Sequence, residues 1–226
     1  MPMTLAELEV AELKRELIFK PQAAHVFGAS MLTAPVQFIT EGITGGLAEL
    51  PEDWFDFGLL DKDQAIALSR NMEKADINAV GFRDPVRSDV TSDVFGMTFN
   101  GLEINRHNIE YNLNVDLSAH IPKAVTGEVA FDQPSAGASK RGRFLTIAQD
   151  GTGADTIYIG RMWYAGEVTE TGDQTITDGE GALMWPLTIE SRVDTNFNAS
   201  VRHFFGGPGL RSRLSEAGFL AMATTP

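Results

Sequence analysis

The chain has 226 residues, with 31 Asp and Glu against 18 Lys and Arg, a formal charge of -13. That balance argues against a surface that grips nucleic acid, because such a surface needs a basic face to neutralise phosphates; it suits a low-adhesion wall past which a polyanion can move. Cysteine is absent, which excludes disulfides, a thiolate nucleophile and a thiolate-bound metal, and the length suits one main domain carrying an arm and long loops.

No apolar run approaches the roughly 20 residues that cross a bilayer, and the acidic start MPMTLAELEVAELKRE does not read as a secretion signal. Leu5, Leu8, Leu13, Leu17 and Ile18 are spaced by Glu and Lys, and Thr4 stands three residues before Glu7. This capping-box pattern predicts a short amphipathic helix that ends before Pro21. Its apolar stripe needs a groove, either on its own domain or on a neighbouring copy. AAHVFGAS (23–30) reads as a strand, and 31–54 mixes apolar residues with turn signals at Gly42, Gly45, Gly46 and Pro51. Trp54 to Leu60 reads as the first secure core strand.

Residues 64–93 alternate only locally, at Ala65–Ser69 and Asp76–Val80, and β-branched residues are sparse between Leu59 and Gly81. The segment reads as an extended loop, a length uncommon in a compact domain unless it has a task. From Val94 a strand places Phe95, Met97 and Phe99 on one side. Residues 106–117 are ambiguous. The alternation Ile109, Tyr111, Leu113, Val115, Leu117 favours a strand, while Asn105 as N-cap would start a short helix. GEVAF (127–131) reads as a strand and 132–142 as an exposed loop. Strands follow at Arg143–Gln149, Thr156–Ile159, Arg161–Val168, Ala182–Arg192 and Ala199–Phe205, then a helical turn or two at Leu210–Ala217. Many short strands with helical flanks predict a mainly β sandwich or barrel.

Chemistry-bearing residues are few. His25, His107, His120 and His203 are scattered; only His107 has carboxylates near it, Glu103 and Glu110, which a helix would bring to one face. DGTGAD lacks the spacing and distal Glu of a calcium loop. No GxSxG nucleophile elbow occurs, and GGPG (206–209) lacks the Lys-Ser or Lys-Thr of a phosphate cradle. Lys140, Arg141 and Arg143 form the densest basic cluster. They read either as a solvated loop or as charges that pair with an acidic patch of an identical neighbour.

Several segments follow one another in a specific order: KRELIFKP (14–21) and AAHVFGA, LPEDWFDFGLLDKDQAIALSR (50–70), GFRDPVRSDVTSDVFGMTF (81–99), and Glu103, Asn105 and Arg106 running into VDLS (115–118). GEVAFDQP, the run RFLTIAQDGTGADTIYIGRMWYAGEVTETGDQ, MWPLTIES and FFGGPG complete the series. Over about residues 10–209 the series resembles the major tail proteins of siphoviruses that infect actinobacteria.

The resemblance implies a mainly β, two-sheet sandwich or barrel of the phage tail-tube type, with a flanking α-helix and an N-terminal helical arm. The arm would be 1–22, the β domain 23–209 and a C-terminal extension 210–226. It also turns 106–114 toward the flanking helix. Six copies would join their inner sheets into a ring around a channel, and rings would stack into a tube. The implied partners are identical subunits, the tape measure protein, and tail terminator and tail-tip proteins. DNA would pass through the lumen without specific binding, in a virion tail assembled in the host cytoplasm. No cofactor, catalysis or membrane insertion is expected.

By match to this pattern, the loop 81–93 is the expected ring-stacking element, with Arg83, Asp84, Arg87, Asp89 and Asp93 making cross-ring ion pairs. Leu5, Leu8, Leu13 and Leu17 would pack the arm on an adjacent subunit, and Trp54, Phe57, Trp163 and Trp185 would anchor the core. Two rivals remain: a head-tail connector or minor tail protein of similar fold, and a β-sandwich binding module or carbohydrate-active enzyme. The last would need a concave face with paired carboxylates and exposed aromatics.

Overall fold

The structure, a computed structural model, describes residues 14–135, 139–178, 181–220 and 222. The strands are β1 (Ala23–Ala29), β2 (Thr40–Glu41), β3 (Gly46–Leu47), β4 (Phe55–Asp56), β5 (Ile66–Ile77), β6 (Arg87–Gly101), β7 (Arg141–Asp150), β8 (Ile157–Glu170), β9 (Trp185–Arg192) and β10 (Val201–Gly206). The α-helices are α1 (Arg106–Asn112) and α2 (Pro208–Ser212). β2 and β3 form a small separate ribbon; the rest make one large antiparallel sheet in the order β4-β1-β7-β8-β9-β6-β5, with β10 also paired to β8.

β8 is where this sheet divides. β7 runs along one of its edges, while the other edge is shared: Tyr158–Trp163 pair with β10 and Ala165–Glu170 pair with β9. The branch that continues through β9 and β6 folds across the branch that holds β1, β7 and β10, and one core fills the space between. Val26, Phe144 and Trp163 from the first branch pack with Met97, Phe99, Leu187 and Ile189 from the second, closed by Phe57 and by Tyr111 of α1. Phe57 meets Phe99 and Tyr111 edge-on at 5.1 and 5.4 Å, an arrangement favoured by the ring quadrupoles. At the fork, Gly166 has no room for a side chain, because a Cβ there would overlap the Phe144 ring.

Successive strand residues face opposite ways, so Leu145, Ile147, Met162 and Tyr164 line the reverse face. Val36, Ile39 and Trp54 from the irregular segment between β1 and β4 cover them. β7 and β8 are therefore buried on both sides, and each fully buried large apolar side chain contributes about 1.5–3 kcal/mol. Trp54, Phe57, Trp163 and Trp185 are all buried.

Local chemistry resolves the ambiguous stretch at 106–117 as a helix. The Asn108 amide donates to Asn105 Oδ1 at 2.8 Å, and Asn105 Nδ2 donates to the Phe57 carbonyl at 2.9 Å. One side chain thus caps α1 and fastens it over the core.

Other expectations are corrected. Residues 64–93 are not an extended loop: β5 and β6 build a long hairpin there. GEVAF forms no strand, the strand expected at Trp54–Leu60 shrinks to two residues, and the pieces around 156–159 and 161–168 are one strand. Leu5, Leu8 and Leu13 lie outside the described residues. Leu17 ends a single 3-10 turn, Arg15–Leu17, not an α-helical stripe. Beyond it the chain joins its own sheet, with the Lys20 amide donating to Asp150 Oδ2 and the Gln22 amide to the Gln149 carbonyl, both at 2.8 Å. No helix among the described residues is long and apolar enough to cross a membrane.

Candidate assembly surface

The β5–β6 hairpin runs from the core into solvent, and β5 is the most exposed strand among the described residues. Its register runs from Ile66 opposite Phe99 to Ile77 opposite Arg87, with a bulge at Glu73/Lys74, and residues 78–86 connect the strands. The Val86 amide closes the connection on the Ile77 carbonyl at 2.9 Å. β5 stands at the end of the sheet, so its outer edge has no strand partner among the described residues. Every β5 residue after Ile66 is exposed. A free edge of twelve residues is long for a sheet margin, which proteins ordinarily keep short, charged or covered.

The two faces of the hairpin differ. Leu68, Arg70 and Met72 lie opposite Met97, Phe95 and Asp93 and extend the core face outward past the point where core neighbours end. Ala67, Ser69, Asn71 and Glu73 lie opposite Thr98, Gly96, Val94 and Ser92, and Thr188 and Glu190 of β9 continue that second face. It is built of small and polar groups; the Thr98 and Thr188 hydroxyls meet at 3.2 Å. Toward the tip the surface becomes apolar, with Ile77, Val80, Phe82, Val86 and Val90 all more than half exposed.

Of the five residues expected to make cross-ring ion pairs, only Arg83 and Asp84 lie in the connecting turn, and neither has an ion-pair partner among the described residues. Arg87, Asp89 and Asp93 are in β6. Arg87 pairs with Asp89 at 2.8 Å, and Asp93 takes a two-pronged hydrogen bond from Arg70 at 2.7 and 2.8 Å, which holds its carboxyl below the usual range. These charges are satisfied inside the hairpin.

The basic cluster at 140–143 likewise has ion-pair partners within the chain. Lys140 Nζ lies 3.5 Å from Glu110, donates to the Val115 carbonyl and sits over the Tyr111 ring. Arg141 reaches Glu167 at 3.3 Å. Arg143 is 4 % exposed, and its guanidinium donates to Asp194 and to the carbonyls of Thr33, Tyr164 and Met31. It cannot pair with a neighbouring subunit. Sequence reasoning missed this because nothing near Arg143 in the chain shows that it faces inward toward Asp194. It also missed Arg192, which ties Glu167 to Glu190 at 2.6 and 3.2 Å.

A cleft of about 660 Å³ lies beside α1, lined among others by Phe55, Arg106, His107, Glu110, Tyr111 and Lys140. Glu103 does not join it, since its carboxylate accepts from the Leu59 amide at 2.8 Å. Glu110 is buried, accepts from the Leu117 amide at 2.9 Å and is flanked by Lys140 and Arg106. His107 stacks on Phe55 at 3.6 Å, and burial, with Arg106 beside it, pushes its pKa down. Glu110 thus holds α1 to the chain that follows it and to the start of β7. Among the described residues no group of three or more His, Asp or Glu could hold a metal ion.

The chain matches no protein-family model and no curated protein.

Proposed function

We propose that the chain is the structural subunit of a phage tail tube, a tail-tube β sandwich that assembles into stacked hexameric rings around the channel used by viral DNA. The observation that carries this reading is the β5–β6 hairpin, an edge of twelve residues with exposed apolar groups and no partner within the described chain. In a ring, the neighbouring subunit supplies the missing strand contacts, and closure removes the exposed edges. The ordered resemblance to siphovirus major tail proteins supports the same reading from the sequence.

The small, polar second face of the hairpin and β9 becomes the channel wall. Ser69, Asn71, Glu73 and Thr188 offer no basic group to a phosphate, Arg141 and Arg192 on the same face are already paired with Glu167 and Glu190, and the chain as a whole carries -13. Such a wall lets DNA slide without adhering. The other partners are the tape measure protein inside the tube and the terminator and tail-tip proteins at its ends, and the site of action is the virion tail.

Electron microscopy of the purified protein at rising concentration, with a sizing measurement on the same samples, tests this. Hollow tubes or six-membered rings with a central hole are expected. A strict monomer at every concentration, unchanged by added tail-tip components, would sink the reading.

A further inference from the structure

Where the hairpin leaves the core, two arginines and a histidine gather around one ring. Arg161 of β8 stands opposite His203 of β10 in the ladder. Phe95 of β6 faces them from the other branch of the sheet. The Arg70 and Arg161 guanidinium carbons lie 5.0 and 5.9 Å from the centre of the Phe95 ring, and the His203 ring lies 5.8 Å from it. Phe205, two residues beyond His203 on the same face, is exposed beside them. The result is a mouth with aromatic sides and a cationic floor.

Arg70 has its counter-ion in Asp93. Arg161 has none. Its guanidinium contacts only the Phe95 and Trp163 rings and makes no ion pair or hydrogen bond among the described residues. It is also partly buried, which lowers its pKa, and His203 is pushed down by burial and by Arg161 and Arg70. Leaving a half-desolvated cation without an anion is costly. It is also unexpected in a chain with 31 carboxylates to 18 Lys and Arg.

We infer that this mouth is a receptor for a carboxylate of a second copy of this chain, with Arg161 as its principal contact. Charge complementarity identifies the occupant, because an acidic chain that self-associates brings many carboxylates to any contact and needs unpaired cations to receive them. The mouth adjoins the hairpin face of Leu68, Arg70 and Met72, so one docking event covers both. A nucleic-acid phosphate fits less well: Asp93 sits 2.7 Å from Arg70 and would repel a polyanion that a single carboxylate can avoid. Arg161 and its acceptor then form an ion pair shielded by Phe95 and Phe205, where a charge-assisted hydrogen bond is strongest.

This inference rests on the self-assembly reading above, and the test separates the two. The concentration at which half the protein is assembled is measured for the wild type, Arg161→Gln and Arg161→Lys, with circular dichroism and thermal melting as controls for folding. Arg161→Gln is expected to raise that concentration about tenfold or more with the fold intact. Arg161→Lys is expected to retain most of the assembly. A zero-length carbodiimide cross-link on a mixture of light and heavy isotope-labelled Arg161→Lys protein should then join position 161 to an acidic peptide of the other label. Wild-type assembly matched by Arg161→Gln, with no inter-copy cross-link at 161, overturns the inference and leaves the tube reading standing. Duplex DNA binding by the wild type that Arg161→Gln abolishes, without any change in assembly, overturns it in favour of a phosphate. A wild type that never assembles fails the tube reading itself.

Discussion

Arg143 shows how one side chain can be committed far from where its neighbours in sequence point. Its guanidinium bridges the Thr33, Met31 and Tyr164 carbonyls and Asp194, with both ionic partners buried. Asp194 in turn accepts from the Asn196 amide at 2.9 Å. Removing one member of a buried pair strands the other, so Arg143→Met should cost about 3–5 kcal/mol, read as a lower denaturant midpoint. Tyr111 offers a spectroscopic check of the core. Burial, with Glu110 beside it, raises its pKa from 10.0 to about 12. The folded state therefore holds this proton more tightly than the unfolded state. Stability from this group is fully present below pH 10 and falls as pH rises from about 10 toward 12. Tyrosinate absorbance followed through that window should contain a late step that Tyr111→Phe removes.

At the scale of elements, α1 depends on Asn105 for both its start and its seat. Asn105→Ala removes the cap and the bond to the Phe57 carbonyl, and should cost about 1–2 kcal/mol in chemical denaturation. The hairpin should behave in the opposite way, as an element the fold can lose in part. Joining Ile77 to Arg87 by an Asn-Gly turn in place of residues 78–86 removes Val80 and Phe82, which touch little else. The thermal midpoint should stay within about 3 °C, while self-association in a sizing experiment is lost.

These two elements also mark what could be read from the sequence. Strands buried on one or both faces were visible, because Phe95, Met97 and Phe99 alternate with the period of a sheet, and the apolar run at 162–164 suits a strand covered on both faces. The hairpin was not, because exposure on both faces removes the apolar alternation that marks a strand. GEVAF misled for the converse reason: it has the composition of a strand, but no partner strand accepts it. At 106–117 a capping side chain outweighed a period-two pattern. The charged candidates were least legible. Whether Asp93 and Arg143 serve a neighbour depends on contacts with residues far away in sequence, Arg70 and Asp194.

For the whole molecule, the sheet has a protected middle and an unprotected end at β5. β7 and β8 are enclosed by strands on both edges and by cores on both faces, whereas among the described residues β5 has one strand neighbour and is exposed beyond Ile66. Hydrogen exchange on the free subunit should therefore show slow amides in β7 and β8 and fast ones along β5. On assembly, protection should rise first in β5. Unchanged exchange there, in samples seen to be tubes, would move the contact elsewhere.

The position of β10 in the chain has a consequence for synthesis. The hairpin pairs residues close in sequence and can form once Gly101 has emerged, but β8 lacks its partner along Tyr158–Trp163 until Gly206 has been made. At about 5–20 residues per second, those roughly one hundred residues leave the hairpin folded and uncovered for roughly 5–20 s while the body of the sheet is incomplete. Neighbouring ribosomes on one message then hold such edges close together. The formal charge of -13 would then help to keep nascent chains apart until each has a finished body to present.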